Sequence, residues 1–169
     1  MDRGEVNMIT VFTTGGTFDK VYFDANSQFH IGESQVEPML KESNVTFDYT
    51  VASLLRKDSL EITDEDRQIL CEHVKASSAQ HIIITHGTDT MSHTAKALAA
   101  HGIEGKTIVL VGAMQPARMR VTDAPFNLGF ACAAVQLLPS DIYIAMCGQV
   151  FQHNNVKKNL EAGRFETET

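Results

Sequence analysis

At 169 residues the chain has the size of one domain and can bury a core without disulfides or metal. Apolar residues make up 43% and charged residues 21%, which excludes a disordered or fibrous chain. The net charge of −7, with no stretch that gathers Lys or Arg, opposes binding to nucleic acid, and no apolar run reaches membrane-spanning length.

Taken in chain order, the N-terminus from Met1 to Asn7 carries two acidic residues and lacks the basic start of a secretion signal. Three cysteines (Cys71, Cys132, Cys147), odd in number and set in apolar stretches, fit a reducing compartment, so a cytoplasmic protein is expected. The first apolar run, Met8 to Phe12, predicts a strand ended by Thr13 to Thr17 (TTGGT). The polar stretch from Phe18 to Gly32 is long for a connection and predicts a hairpin or a flap. Ser34 to Leu40 reads as a short helix and Phe47 to Leu54 as an alternating strand. Thr63 to Asp66 is a capping signal for a helix through Ala76, with Ile69, Leu70, His73 and Val74 at inward spacing.

His81 to Thr85 (HIIIT) predicts a buried strand, His86 to Asp89 a turn, and Thr90 to Ala100 a helix ending at Gly102. Thr107 to Val111 is a further buried strand. Thr122 to Leu138 starts on Thr-Asp-Ala-Pro, reads as a helix and stops at Pro139. Asp141 to Met146 is the fifth strand. No repeat, low-complexity tract or linker divides the chain, so residues 1–169 are expected to form one domain. Strands that alternate with helices predict a three-layer α/β/α sandwich around a mainly parallel sheet, Rossmann- or flavodoxin-like. Ligands of such sheets bind beyond the carboxyl ends of the strands, which directs attention to the turns there.

The first of these turns holds Thr14, Gly15, Gly16 and Thr17. Two glycines permit a sharp turn and close backbone approach, and Thr17 adds a hydroxyl; taken alone, a plain tight turn is the ordinary reading of such a pair. Neither Gly-x-Gly-x-x-Gly nor Gly-Lys-Ser/Thr occurs, which disfavours nucleotide binding. The second turn holds His86, Gly87, Thr88, Asp89 and Thr90, a hydroxyl and a carboxylate aimed at the same region, unless Thr or Asp is only a helix cap. His86 reads as a satisfied, partly buried histidine rather than as a base. A threonine hydroxyl needs a base to become a nucleophile, and a lysine can serve. Lys157 and Lys158 lie beyond the fifth strand, in a loop rich in Gln, His and Asn, where a solvated pair is the ordinary reading. No His-x-x-x-His or Cys-x-x-Cys spacing points to a metal.

Thr13 to Phe18 (TTGGTF) and Ile84 to Met91 (ITHGTDTM) resemble the two signature segments of the bacterial-type L-asparaginases, in their order and separation. Val111 to Leu128, with VGAMQP and DAPFNL, is similar to a third family segment. The resemblance implies an amidohydrolase that converts asparagine to aspartate and ammonia without cofactor or metal, through an acyl-enzyme on Thr17. It matches Thr88 and Asp89 to a triad completed by Lys158, with Lys157 as the fallback. Gly16, Gly87, Thr88 and Asp89 would also bind substrate. Asp58 to Thr63 resembles the stretch whose serine holds the substrate α-carboxylate, here Ser59, and Tyr22 is the tyrosine available on the flap.

Departures accompany these matches. The resemblance covers the N-terminal half of a typical member, whose C-terminal domain supplies an acidic residue across a subunit interface; Leu60 stands where the family has Gln or Ser. The expected partners are a small amide, asparagine before glutamine, and further copies of the chain in a homo-oligomer. There the tail, with Glu161, Glu166 and Glu168, or the flap would cover the site. Two rival readings are a non-catalytic module that binds asparagine or aspartate, and the amidase subunit of a tRNA-dependent amidotransferase.

Overall fold

A computed structural model describes residues 8–23, 25 and 27–168. The expectation for Met1 to Asn7 lies outside these residues, as do Asp24, Asn26 and Thr169. In chain order the elements are β1 (Ile9–Gly15), a 3-10 turn (Thr17–Asp19), β2 (Lys20–Phe23), β3 (Gln28–Ile31), α1 (Val36–Glu42) and β4 (Tyr49–Lys57). A second 3-10 turn (Ser59–Glu61), α2 (Asp64–Ala76), β5 (His81–Thr85), α3 (Met91–Ala100), β6 (Thr107–Val111) and α4 (Ala124–Leu137) follow. The chain ends with β7 (Ile142–Met146), β8 (Gln149–Gln152), β9 (Lys157–Asn159) and β10 (Arg164–Glu166).

The main sheet has the order β4-β1-β5-β6-β7-β8. Its first five strands are parallel and β8 closes the edge antiparallel to β7. Alternation sorts the apolar side chains into two layers. Ile9 and Val11 of β1, Ile83 of β5 and Val109 and Val111 of β6 pack with α1 and α4 on one face. Phe12, Ile82, Ile84, Ile108 and Leu110 pack with α2 and α3 on the other. Burial on both faces explains why β5 and β6 read as unbroken apolar runs, each such side chain contributing about 2 kcal/mol. The three-layer α/β/α sandwich is the predicted one.

Several boundaries and faces differ from the sequence reading. β1 runs on to Gly15, because Thr13 still pairs with both Ser53 and Thr85. Helix α2 has the predicted Thr63 cap, with Asp66 returning the bond to the Thr63 N–H. Its buried face is Arg67, Leu70, Cys71 and Val74, while Ile69 and His73 are exposed. The polar stretch after the first turn contains the antiparallel β2–β3 hairpin. The region after β7, read as loop, is also largely strand. Only Phe151 of β8 is buried, so no alternating pattern marked it, and the unpaired edge of β7 supplies its hydrogen bonds. The tight turn between them uses Cys147 and Gly148, both at positive φ, a pairing suited to two-residue hairpins.

Candidate active site

Chain connections leave β1 toward β4 on one side and reach β5 on the other, so a crevice opens at the carboxyl ends of β1 and β5. Both threonine-bearing turns sit there. Gly15 and Gly16 have φ of 102° and 77°, values that a side chain would strain. The Gly16 N–H donates to the Lys57 carbonyl at 2.9 Å. A Cβ on Gly16 would lie 2.5 Å from Cα and N of Gly87, so the two turns pack backbone on backbone. A Cβ on Gly87 would lie 2.6 Å from Ser59 Cβ, which brings in the third segment. Ser59 is buried, and its carbonyl accepts the Thr90 hydroxyl at 2.7 Å. Gly16, Thr17, Ser59, Gly87, Thr88 and Asp89 thus come from three turns held in contact.

The lysine arrives from the far end of the chain. Lys158 Nζ donates to Thr88 Oγ1 at 2.7 Å and to Asp89 Oδ1 at 2.6 Å. Lys158 lies on β9 opposite Phe165 of β10, and Phe165 is buried beside Phe151, their ring centroids 6.5 Å apart. A buried aromatic therefore anchors the strand that carries the ammonium. Lys157, one position away, is exposed and pairs across to Glu166, as strand alternation requires. Residues Arg164–Glu166 of the acidic tail, expected with the flap to cover a site, are paired into this hairpin. Glu166 binds Asn159 and Arg164, and Glu168 pairs with Lys96.

His86 is completely buried beneath the second turn. Its Nδ1 lies 2.8 Å from the Gly87 carbonyl, which can only accept, so Nδ1 carries the proton. Nε2 then accepts from Thr94 Oγ1 at 2.7 Å, and Thr94 accepts in turn from Arg67 Nε at 3.1 Å. Burial pushes the histidine pKa down to about 4, with the Arg67 charge acting the same way and the bond to Gly87 opposing it. A neutral, doubly bonded imidazole is a support for the turn, as the sequence suggested.

The flap side is looser. Thr17 is half-buried, and among the described residues no side chain hydrogen-bonds its hydroxyl. Tyr22 is 52% exposed and sits edge-on to Phe29 at 5.5 Å, without a bond to Thr17. The hairpin is tied down at its base. Lys20 pairs with Asp58 at 3.1 Å, and the Gly32 N–H donates to the Asp19 carbonyl at 2.9 Å. Asp19 is buried and accepts the Gln35 N–H at 2.9 Å. Burial raises its pKa to about 6, against the pull of that bond and of the Arg118 and Arg56 charges. Burial also opposes the Asp58 charge, but the Leu60 N–H and Lys20 outweigh it and hold Asp58 below the ordinary carboxylate range.

Some supporting residues escaped the sequence reading. Asp123, read as a helix start, spends its carboxylate on the N–H groups of Met114 and Gln115 and on Asn127, fixing the loop after β6. Gly112 is required because a Cβ there would meet the His86 carbonyl at 2.4 Å. Lys57 pairs with the capping Asp66 at 2.7 Å and so ties the end of β4 to α2. The signal available for Asp123 and Asn127 was their place in DAPFNL.

Two threonine-bearing turns and an Asp-held lysine thus meet at the switch point of a doubly wound α/β domain. Residues 8–166 match the family model described as Asparaginase, N-terminal, and the chain belongs to that family. It is 28% identical over 166 residues to the glutaminase-asparaginase of Acinetobacter glutaminasificans, covering 91% of this chain and 50% of that protein. With the probable periplasmic L-asparaginase of Haemophilus influenzae it shares 30% identity over 159 residues, 89% of this chain and 46% of the other. The structure of a probable cytoplasmic L-asparaginase from Campylobacter jejuni superimposes with a TM-score of 0.80 at 27% identity, over 95% of this chain and 53% of that one. The chain spans about half the length of the curated relatives it matches.

Proposed function

We propose that this chain is an amidohydrolase that converts L-asparagine to L-aspartate and ammonia through an acyl-enzyme on Thr17, with residues 1–169 acting as one N-terminal-type domain. The observation that carries the reading is Lys158 Nζ bound at once to Thr88 and Asp89, in a turn packed against the one that bears Thr17. Thr17 Oγ attacks the side-chain amide carbon. In this step Lys158 acts as the neutral amine: Thr17 gives its proton to Thr88 Oγ1 as Thr88 gives its own to Lys158 Nζ, and the proton returns by that route to the leaving nitrogen as the C–N bond breaks and ammonia is released. Water then adds to the ester by the same route and frees aspartate and Thr17.

The Gly16 N–H is spent on Lys57, which leaves the N–H groups of Thr17 and Thr88 as candidates for the oxyanion, each worth about 3 kcal/mol in such a role. Ser59 would hold the α-carboxylate, and Tyr22 would reach Thr17 when the flap closes on substrate. No step calls for a cofactor or metal. Three free cysteines support a cytoplasmic setting, and no helix of the described residues is long and apolar enough to cross a membrane. We take the working form to be a homo-oligomer.

One competing assignment has an observation of its own. Lys158 touches Thr88 directly, so Thr88 could be the nucleophile and Thr17 an accessory hydroxyl. Ammonia release by the purified chain on asparagine, glutamine and succinamate tests the activity. Turnover with asparagine preferred is expected; binding of asparagine with no ammonia released would leave a ligand-binding module instead.

A further inference from the structure

A cleft of about 250 Å³ opens between the β2–β3 hairpin and the loop that follows β6. Lys20, Tyr22 and Phe29 line it from the hairpin, and Pro116, Arg118 and Met119 from the loop. The two walls are held differently. On the loop side the Asp123 carboxylate fixes the N–H groups of Met114 and Gln115, the Met119 N–H donates to the Pro116 carbonyl at 3.0 Å, and the Ala117 N–H to the Phe18 carbonyl at 3.1 Å. The hairpin forms a two-stranded sheet of its own, tied at its base through Gly32 and Lys20. Such a hairpin is marginal alone, so a ligand that fills the cleft gives it a surface to pack on.

The lining selects a flat apolar body with a negative charge. Tyr22 and Phe29 meet edge to face at 5.5 Å, and with Met119 they form an apolar patch that is 40–52% exposed. Arg118 makes no ion pair or hydrogen bond among the described residues, which leaves its planar guanidinium able to take a carboxylate through two parallel bonds. The acidic groups nearby are engaged. Asp58 binds Lys20 at 3.1 Å and accepts the Leu60 N–H, while buried Asp19, which both Arg118 and Arg56 attract, accepts the Gln35 N–H. Arg120 is exposed on the same loop. The rim therefore favours an anion and repels an ammonium group. The volume lies below the ~300–1,000 Å³ of drug-sized sites and suits one ring with a short acidic arm.

We propose that this cleft binds a small aromatic carboxylate that lacks an ammonium group, with the carboxylate on Arg118 and the ring among Tyr22, Phe29 and Met119, and that its occupancy inhibits the enzyme by holding the flap. The inhibition rests on the reading of Tyr22 as the residue that reaches Thr17. Tyr22 cannot serve both places at once: while it lines an occupied cleft it is withheld from Thr17. Ligand binding and flap closure therefore oppose each other, and by linkage a substrate that closes the flap weakens the ligand.

Isothermal titration of the whole chain with phenylacetate, and with phenethylamine as its cationic match, tests the site. Phenylacetate should bind and phenethylamine should not. Arg118→Ala should weaken phenylacetate at least about tenfold through loss of a charge-assisted pair, with an unchanged urea midpoint because the side chain is exposed. Arg118→Lys keeps the charge but not the fork and should fall between. Ser59→Ala should leave the affinity unchanged. No binding of phenylacetate, equal binding of phenethylamine, or an affinity that follows Ser59 rather than Arg118 would overturn the site. Ammonia release from asparagine should fall as phenylacetate fills the cleft in the wild type, and not in Arg118→Ala. Binding through Arg118 with full turnover would overturn the hold on the flap. Binding through Arg118 by a chain that releases no ammonia would refute the hydrolase reading and leave the site standing.

Discussion

The two sides of the crevice are built to different standards. On the Thr88 side the side chains are held in a network: Lys158 bridges Thr88 and Asp89, and a buried line from Arg67 through Thr94 and His86 fixes the Gly87 carbonyl. On the Thr17 side the backbone is equally fixed, yet the hydroxyl stands clear and Tyr22 lies out on a half-exposed hairpin. A base must be held in place before substrate arrives, because misplacement costs rate steeply. A flap must move to admit the ligand. In the proposed mechanism the contrast separates a preorganised half from a half that substrate completes.

The sharpest way to break the contrast is at the rigid side. Lys158→Met should lower kcat by roughly three to four orders of magnitude, as loss of a catalytic base does, while Lys157→Met should stay within about twofold. Steady-state ammonia release compares them directly. Next is the anchor of that lysine. Phe165→Ala should cost about 3–5 kcal/mol in urea unfolding, and kcat should fall in the protein that remains folded, because β9 loses its seat. Loss of stability with kcat preserved would detach the hairpin from the chemistry.

A third prediction concerns one buried titratable group on each side. Asp19 holds its proton up to about pH 6 when folded against 3.8 for the free group, so stability falls as pH rises through that window and the full cost stands above it. That cost is about 3 kcal/mol at most. Asp19→Asn should therefore stabilise the protein at about pH 8 and give no gain below pH 3.8. His86 works in the opposite sense. Its folded pKa lies near 4 against 6.5, so its contribution is present above 6.5 and lost as pH falls toward 4. In the wild type the two slopes offset each other. In Asp19→Asn the urea midpoint should drop clearly between pH 6.5 and 4, and a flat profile would remove His86 from the account. The smallest effect is expected on the open side, where Tyr22→Phe should reduce kcat/KM by about tenfold and leave the urea midpoint in place.

How much of this was legible in the sequence follows from where each signal lives. The buried strands β5 and β6 announced themselves, since a strand covered on both faces is apolar throughout. Motifs single out Thr17, Ser59, Thr88, Asp89 and Lys158; the structure brings their turns together and aims Lys158, not Lys157, at Thr88. Strand β8 and the β9–β10 hairpin were missed because a wet edge leaves only Phe151 and Phe165 buried, too few to make a pattern. Ile69 was assigned to the wrong face of α2, because Arg67 is buried there by a bond to Thr94 that no periodicity reveals.

The central claim is that Thr17, not Thr88, carries the acyl group, and peptide mapping tests it most directly. The chain is acid-quenched during turnover of asparagine, digested, and the modified peptide identified by mass. The account predicts an aspartyl adduct on the peptide bearing Thr17, absent in Thr17→Ala. An adduct on the peptide bearing Thr88, persisting in Thr17→Ala, would contradict it.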